Sequence, residues 1–145
     1  DYPCPAGGCL LTDKVIAARL RDLFDHTPDY NHTDLVLLTL GRHYRLHSDL
    51  KIILGRKQEE NERLFTLVKD GQSIFQPDNF RGPTILAVGC LDAKRDETIG
   101  EIIIAHSQDK KTLYRIKKIS LSNGKISLFE AQSCPRNTWD RCRLG

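Results

Sequence analysis

The sequence predicts a mixed α+β domain, a small mixed sheet with flanking helices, preceded by a helical neck. Helix-periodic segments alternate with short β-branched runs along most of the chain. Two strand-like runs within Leu113 to Glu130 meet at Asn123-Gly124, the dipeptide suited to a tight hairpin turn with two positive φ angles. The 145 residues, 39% of them hydrophobic, suffice for one domain with a real core.

The elements follow in order. Asp1 to Cys9 is rich in Pro and Gly and cannot be regular helix. A helix then starts at Thr12 or Asp13, with Ile16, Leu20, Leu23 and Phe24 on its inner face and Arg19, Arg21 and Asp22 on its wet side. Thr33 to Leu40 reads as a short helix, capped by Thr33 and stopped by Gly41. Arg42 to Leu46 and Leu50 to Leu54 read as strands. Gln58 to Val68 is the clearest helix, with Asn61, Leu64, Phe65 and Val68 on one face, and Asp70-Gly71 ends it.

Ser73 to Gln76 and Thr84 to Val88 read as strands around a loop of turn formers from Pro77 to Pro83. Asp96 or Thr98 opens a further helix with Ile99, Ile102, Ile103 and His106 inward. The tail after Gln132 is expected to be a loop anchored by Trp139. The order of strands in the sheet is not readable.

Composition excludes several classes. No apolar run approaches the roughly 20 residues of a membrane-spanning helix, and no secretory signal is present. The expectation is therefore a cytoplasmic protein without a membrane partner. Net charge is +3, a mild basic bias compatible with nucleic acid. Five Cys, an odd number without repeating spacing, fit reduced thiols better than a disulfide framework. The chain has no Met and opens at Asp1, which suggests a piece of a longer protein.

Candidate chemistry is sparse. Cys9 follows Gly7-Gly8 and precedes a helix, where unpaired N–H groups favour a thiolate suited to nucleophilic attack or persulfide transfer. The plain alternative is a small buried hydrophobe. Cys4 is a weaker candidate, as a resolving thiol. Cys4-x4-Cys9 and Cys134-x7-Cys142 lack the C-x2-C spacing of common zinc folds, and no His shows ligand spacing, so no metal site is assigned. Neither G-x4-G-K-[ST], G-x-G-x-x-G nor G-x-S-x-G occurs. The chain is not expected to bind ATP alone.

The turn Gly55-Arg56-Lys57-Gln58-Glu59-Glu60-Asn61 leaves a strand and enters a helix, so its N–H groups with Arg56 and Lys57 can hold a phosphate. Arg42, His43 and His47 suit phosphate contact as well. Arg81, beside Phe80 read as an exposed aromatic, suits an unstacked base. Arg115, Lys117 and Lys118 extend the basic surface along one strand. Each of these has an ordinary reading as a solvated face.

Ile53-Leu54-Gly55-Arg56, then Glu60-Asn61 and Leu64, then Asp78-Asn79-Phe80-Arg81-Gly82-Pro83-Thr84 and the Ile-rich helix ending His106-Ser107 together resemble the RNA-binding NFACT-R domain. The resemblance spans roughly Arg42 to Glu130. Lys57 stands where that family usually has Asn, and Gln76 near its usual Trp/His pair. The lead from Tyr2 to Asp13 with Arg19-Leu20-Arg21-Asp22-Leu23 resembles the segment after the PP-loop ATPase domain of thiouridylase-like proteins. It is also similar to the persulfide-carrying region of bacterial tRNA 2-thiouridylases.

These resemblances imply a neck over 1–41 and an RNA-binding domain with its tail over 42–145. They imply the RNA-recognising part of a tRNA uridine thiolation protein, a sulfurtransferase in its full length and inactive as this chain alone. Cys9 would carry the persulfide; Arg42, His43, Arg56, Lys57, Asn61, Arg81, Arg115 and Lys117 would contact RNA. The implied partners are tRNA, a persulfide sulfur donor protein and a missing N-terminal PP-loop domain, which would bind ATP and Mg2+. The alternatives are a non-catalytic RNA- or ribosome-binding adaptor with structural cysteines, and a zinc-stapled interaction domain.

Overall fold

The computed structural model describes residues 14–121, 124–133 and 139–144. The chain runs α1 (Lys14–His26), α2 (His32–Leu37), β1 (Arg42–His47), β2 (Leu50–Leu54), α3 (Gln58–Leu67), β3 (Ser73–Pro77), β4 (Ile85–Gly89), α4 (Ala93–Ala105), β5 (Tyr114–Ser120) and β6 (Lys125–Ala131). A 3-10 turn at Asp140–Cys142 and the short β7 (Arg143–Leu144) close it. All seven strands join one antiparallel sheet, in the order β6-β5-β3-β4-β2-β1-β7. The α+β expectation holds; the sheet, expected to be small and mixed, has seven strands that all pair antiparallel.

Both faces of the central strands are covered, which explains why β2 is buried along its whole length although side chains alternate. Leu50, Ile52 and Leu54 join Phe75, Ile85 and the isoleucines of α4 on one face. Ile53, Ile74 and Leu86 join Leu37 of α2 and Leu64 of α3 on the other. Gly100 lets α4 lie close to the outer hairpin: a Cβ there would stand 3.2 Å from that of Ala131. Trp139 is buried with its ring edge-on to Tyr44 at 5.9 Å, the expected tail anchor. The return of the tail as a strand beside β1 had no sequence signal.

Three boundaries differ from expectation. Asn31, not Thr33, caps α2: its side chain accepts from the Asp34 N–H at 3.1 Å while Asp34 accepts from the Asn31 N–H at 3.0 Å. Asp92, earlier than Asp96 or Thr98, caps α4 by accepting from the Arg95 N–H at 2.8 Å. In β5–β6, Ser120 pairs with Lys125, so the connection is longer than two residues. Gly124 has φ +66° as a turn requires; Asn123 lies outside the described residues.

α1 corrects the face assignment. Leu23 is buried, but so are Arg19 and Asp22, while Phe24 is exposed against Tyr30. Arg19 donates to the carbonyls of Leu38 and Gly41 at 2.6 and 2.9 Å, satisfying acceptors left open beyond the end of α2. Asp22 accepts two bonds from Arg45 of β1, at 3.0 and 2.7 Å. Charges that look solvent-bound on a helical wheel thus bind α1 to the rest of the molecule.

Candidate nucleic-acid interface

At one end of the sheet the start of β1, the end of β2 and the start of β4 lie side by side, because Arg42 pairs with Leu54 and Leu54 with Ile85. The N-terminus of α3 and the C-terminal end of α4 meet the same rim. Between them opens a trough of about 310 Å³ whose lining includes Arg42, Arg56, Lys57, Asn61, Arg81 and His106. A second hollow, of about 350 Å³, shares Gln58, Asn61 and Gly82 with the first and extends past Phe65 and Gln76 to Lys117. Six of the eight residues expected to contact RNA therefore line one continuous depression.

Asn61 sits where the two hollows meet, and the chain fixes it there. Its Oδ1 accepts the Thr84 N–H at 3.2 Å, and the neighbouring Gly55 N–H donates to the Thr84 carbonyl at 3.0 Å. A Cβ on Gly55 would fall 2.0 Å from that Oδ1, so the glycine makes room for the amide. With Oδ1 taken by a donor, the amide nitrogen is left as a donor without a protein acceptor among the described residues.

The four cations differ in how they are held. Arg56 pairs with Glu60 at 3.2 Å and Arg81 with Asp109 at 3.2 Å. Burial pushes the Glu60 carboxyl up, but the Arg56 guanidinium and the N–H groups of Gly41 and Arg56 outweigh it and hold the group at about 2. Hydrogen bonds from the Arg81 N–H and guanidinium keep Asp109 below the usual carboxylate range. The Arg81 loop is pinned further by Ser107, whose hydroxyl donates to the Arg81 carbonyl at 2.7 Å. The side chains of Arg42 and Lys57 have no hydrogen bond or ion pair among the described residues, and Arg42 Nε is buried without an acceptor. Lys57 also leaves α3 without a side-chain cap, so N–H groups of its first turn stay open.

Some expectations change. His43 is fully buried: its Nε2 lies 2.9 and 3.0 Å from the carbonyls of Leu37 and Leu40, so it belongs to the interior and not to an RNA-contacting surface. Phe80 is buried edge-on to Tyr114 at 4.8 Å and offers no face for a base. Phe65, expected inside, is 39% exposed and lines the second hollow, which makes it the available aromatic. Arg115 stands outside both hollows, beside Asp78 at 3.4 Å. Lys118 points to the opposite face, paired with Asp96 at 2.8 Å, as the two-residue period of a strand requires. His47 is exposed away from the trough. Cys4, Cys9 and Cys134 lie outside the described residues; Cys90 and Cys142 carry free thiols.

The sequence matches the NFACT protein RNA binding domain over residues 41–137, which contains every lining residue named above. The chain belongs to that family. Within it, the NFACT domain described here has the same fold as the C-terminal part of the fibronectin/fibrinogen-binding protein from Streptococcus suis. The TM-score is 0.53 at 12% identity, covering 88% of this chain and 64% of that one. The NFACT domain thus spans less than two thirds of that solved chain. No curated protein matches the sequence. Among the described residues, no helix is long and apolar enough to cross a membrane.

Proposed function

We propose that this NFACT domain binds RNA in the trough between β2, α3 and the Arg81 loop. The observation that carries the reading is the pair of unmatched cations, Arg42 and Lys57, set beside the tethered Arg56 and Arg81 and the unspent Asn61 amide. Unmatched cations suit phosphates, whereas the tethered arginines and the amide present oriented donors to base or sugar edges. Phe65 offers a stacking face at the far end.

The RNA we assign is tRNA, and the wider role is the substrate-recognising part of a uridine thiolation protein in which Cys9 carries persulfide sulfur. The Gly-Gly-Cys lead ahead of a helix and its likeness to thiouridylase segments support this role. A salt-series titration of the chain against total tRNA, with an unrelated duplex RNA as control, tests the binding. Micromolar, tRNA-preferring affinity with a negative slope in log salt is expected. Equal binding of both RNAs removes the tRNA assignment, and no binding removes the trough as an RNA site. Thiol titration tests the sulfur role: a Cys9 thiolate formed well below pH 8 is expected, and an ordinary thiol makes the cysteine structural.

A further inference from the structure

The two hollows that meet at Asn61 differ in charge. The first is walled by Arg42, Arg56, Lys57 and Arg81, and no carboxylate stands among its described lining residues. The second has Glu62 and Asp78 as acceptors, with Lys117 as the one cation and Phe65 as the one aromatic ring among its described lining residues. A phosphate therefore finds its partners in the first hollow and meets two carboxylates in the second.

The second hollow owes this character to α3. Gln58, Asn61, Glu62 and Phe65 recur at i, i+3, i+4 and i+7, one stripe of the helix, and all four line the hollow while Leu64 is turned into the core. An exposed aromatic ring beside an amide and a carboxylate suits a flat ligand that is apolar on its faces and polar at its edge. The acceptors are barely engaged within the molecule. Among the described residues the Glu62 side chain takes one long bond, from the Gln58 amide at 3.5 Å, and the Asp78 side chain one, from Arg115 at 3.4 Å.

Ionised carboxylates accept and cannot donate. The amino groups of cytosine, adenine and guanine bring N–H donors to such acceptors. Uracil brings one N–H flanked by two carbonyl oxygens, whose lone pairs would face the carboxylates. A base within a duplex has its pairing edge occupied and its faces covered by stacking, so an unpaired base alone can enter.

We propose that the second hollow holds one unpaired, amino-bearing base of a single-stranded segment, stacked on Phe65 and donating from its amino group to Glu62, while the adjoining phosphate lies against Arg42 and Lys57 in the first hollow. The proposal rests on the trough being the RNA site and adds which part of an RNA it takes. The base held here is not uracil, and so is not the uridine of the proposed thiolation.

The test is a fluorescence-anisotropy titration of the 145-residue chain with labelled single-stranded pentamers of cytidine and of uridine at one salt concentration, with total tRNA alongside. Both pentamers carry the same phosphates and a pyrimidine ring of the same size, so counterion release cancels and the base edge decides the difference. The cytidine pentamer is expected to bind about tenfold more tightly to the wild type. Glu62→Gln should abolish that preference, and Phe65→Leu should weaken the cytidine pentamer about tenfold. Equal affinity for the two pentamers in the wild type, or a preference that Glu62→Gln leaves intact, overturns the proposal and leaves the trough in place. Binding of tRNA but of neither pentamer does the same. Loss of tRNA binding as well removes the trough and the proposal together. Glu62 and Phe65 are both exposed on α3, so the variants are expected to fold. Should either fail, chemical-shift mapping on the wild type decides: shifts at Glu62, Phe65 and Lys117 with the cytidine pentamer are expected, and shifts confined to Arg42 and its neighbours overturn the proposal.

Discussion

Arg42 is the residue on which the RNA reading turns, because its guanidinium lines the trough with no carboxylate paired to it among the described residues. Replacing it with Ala is expected to weaken tRNA binding about tenfold at low salt and to flatten the salt dependence by roughly 0.7–0.9 in log–log slope, one phosphate contact. Arg81→Ala should do less, since its exposed side chain is already shared with Asp109. Two buried or half-buried groups set the pH response. His43 is held neutral by burial, its pKa well below 6.5, and one ring nitrogen serves the two carbonyls while Nδ1 has no partner. A proton there would create a buried donor with no acceptor. The unfolded chain takes up that proton below about 6.5 and the folded one does not, so stability is full above that pH and falls as pH descends. Glu60 adds a second loss between its unfolded value near 4.5 and its folded value of about 2. Denaturant unfolding from pH 8 to 3 should show both losses, and Glu60→Gln should remove the lower one and cost on the order of 2 kcal/mol at pH 7.

At the scale of elements, the connection from β2 to α3 shows what the residues alone revealed. Gly55 through Asn61 could be read as a strand-to-helix turn, and the boundaries of β1, β2 and α3 follow from β-branched runs and a helical stripe. What could not be read was the tertiary bond from Asn61 to Thr84, because the two are 23 residues apart and only the sheet brings them together. For the same reason His43 looked like a surface base and Phe80 like an exposed ring: periodicity assigns a face of an element, but another element decides whether that face is covered. Gly55→Ala should displace the Asn61 amide, lowering stability by about 2 kcal/mol and weakening RNA binding together. An unchanged melting midpoint would show that the junction yields without loss.

For the whole molecule, the sheet order was invisible beforehand, since antiparallel neighbours distant in sequence leave no local trace. The described helix before the sheet behaves as part of one body with it, through Arg19, Asp22 and Leu23. A fragment beginning at residue 31 should therefore melt about 5 °C lower than the chain that retains α1, as read by circular dichroism. An equal midpoint would make that helix dispensable. The tail contributes at the same edge, beside β1, where Trp139 rests against Tyr44 and lies 5.5 Å from the ring of His106, itself a wall of the trough. It is the only tryptophan in the sequence. The molecule consequently carries its own optical probe: an oligonucleotide settling against His106 would alter the indole's emission, so occupancy could be followed by fluorescence without attaching a dye.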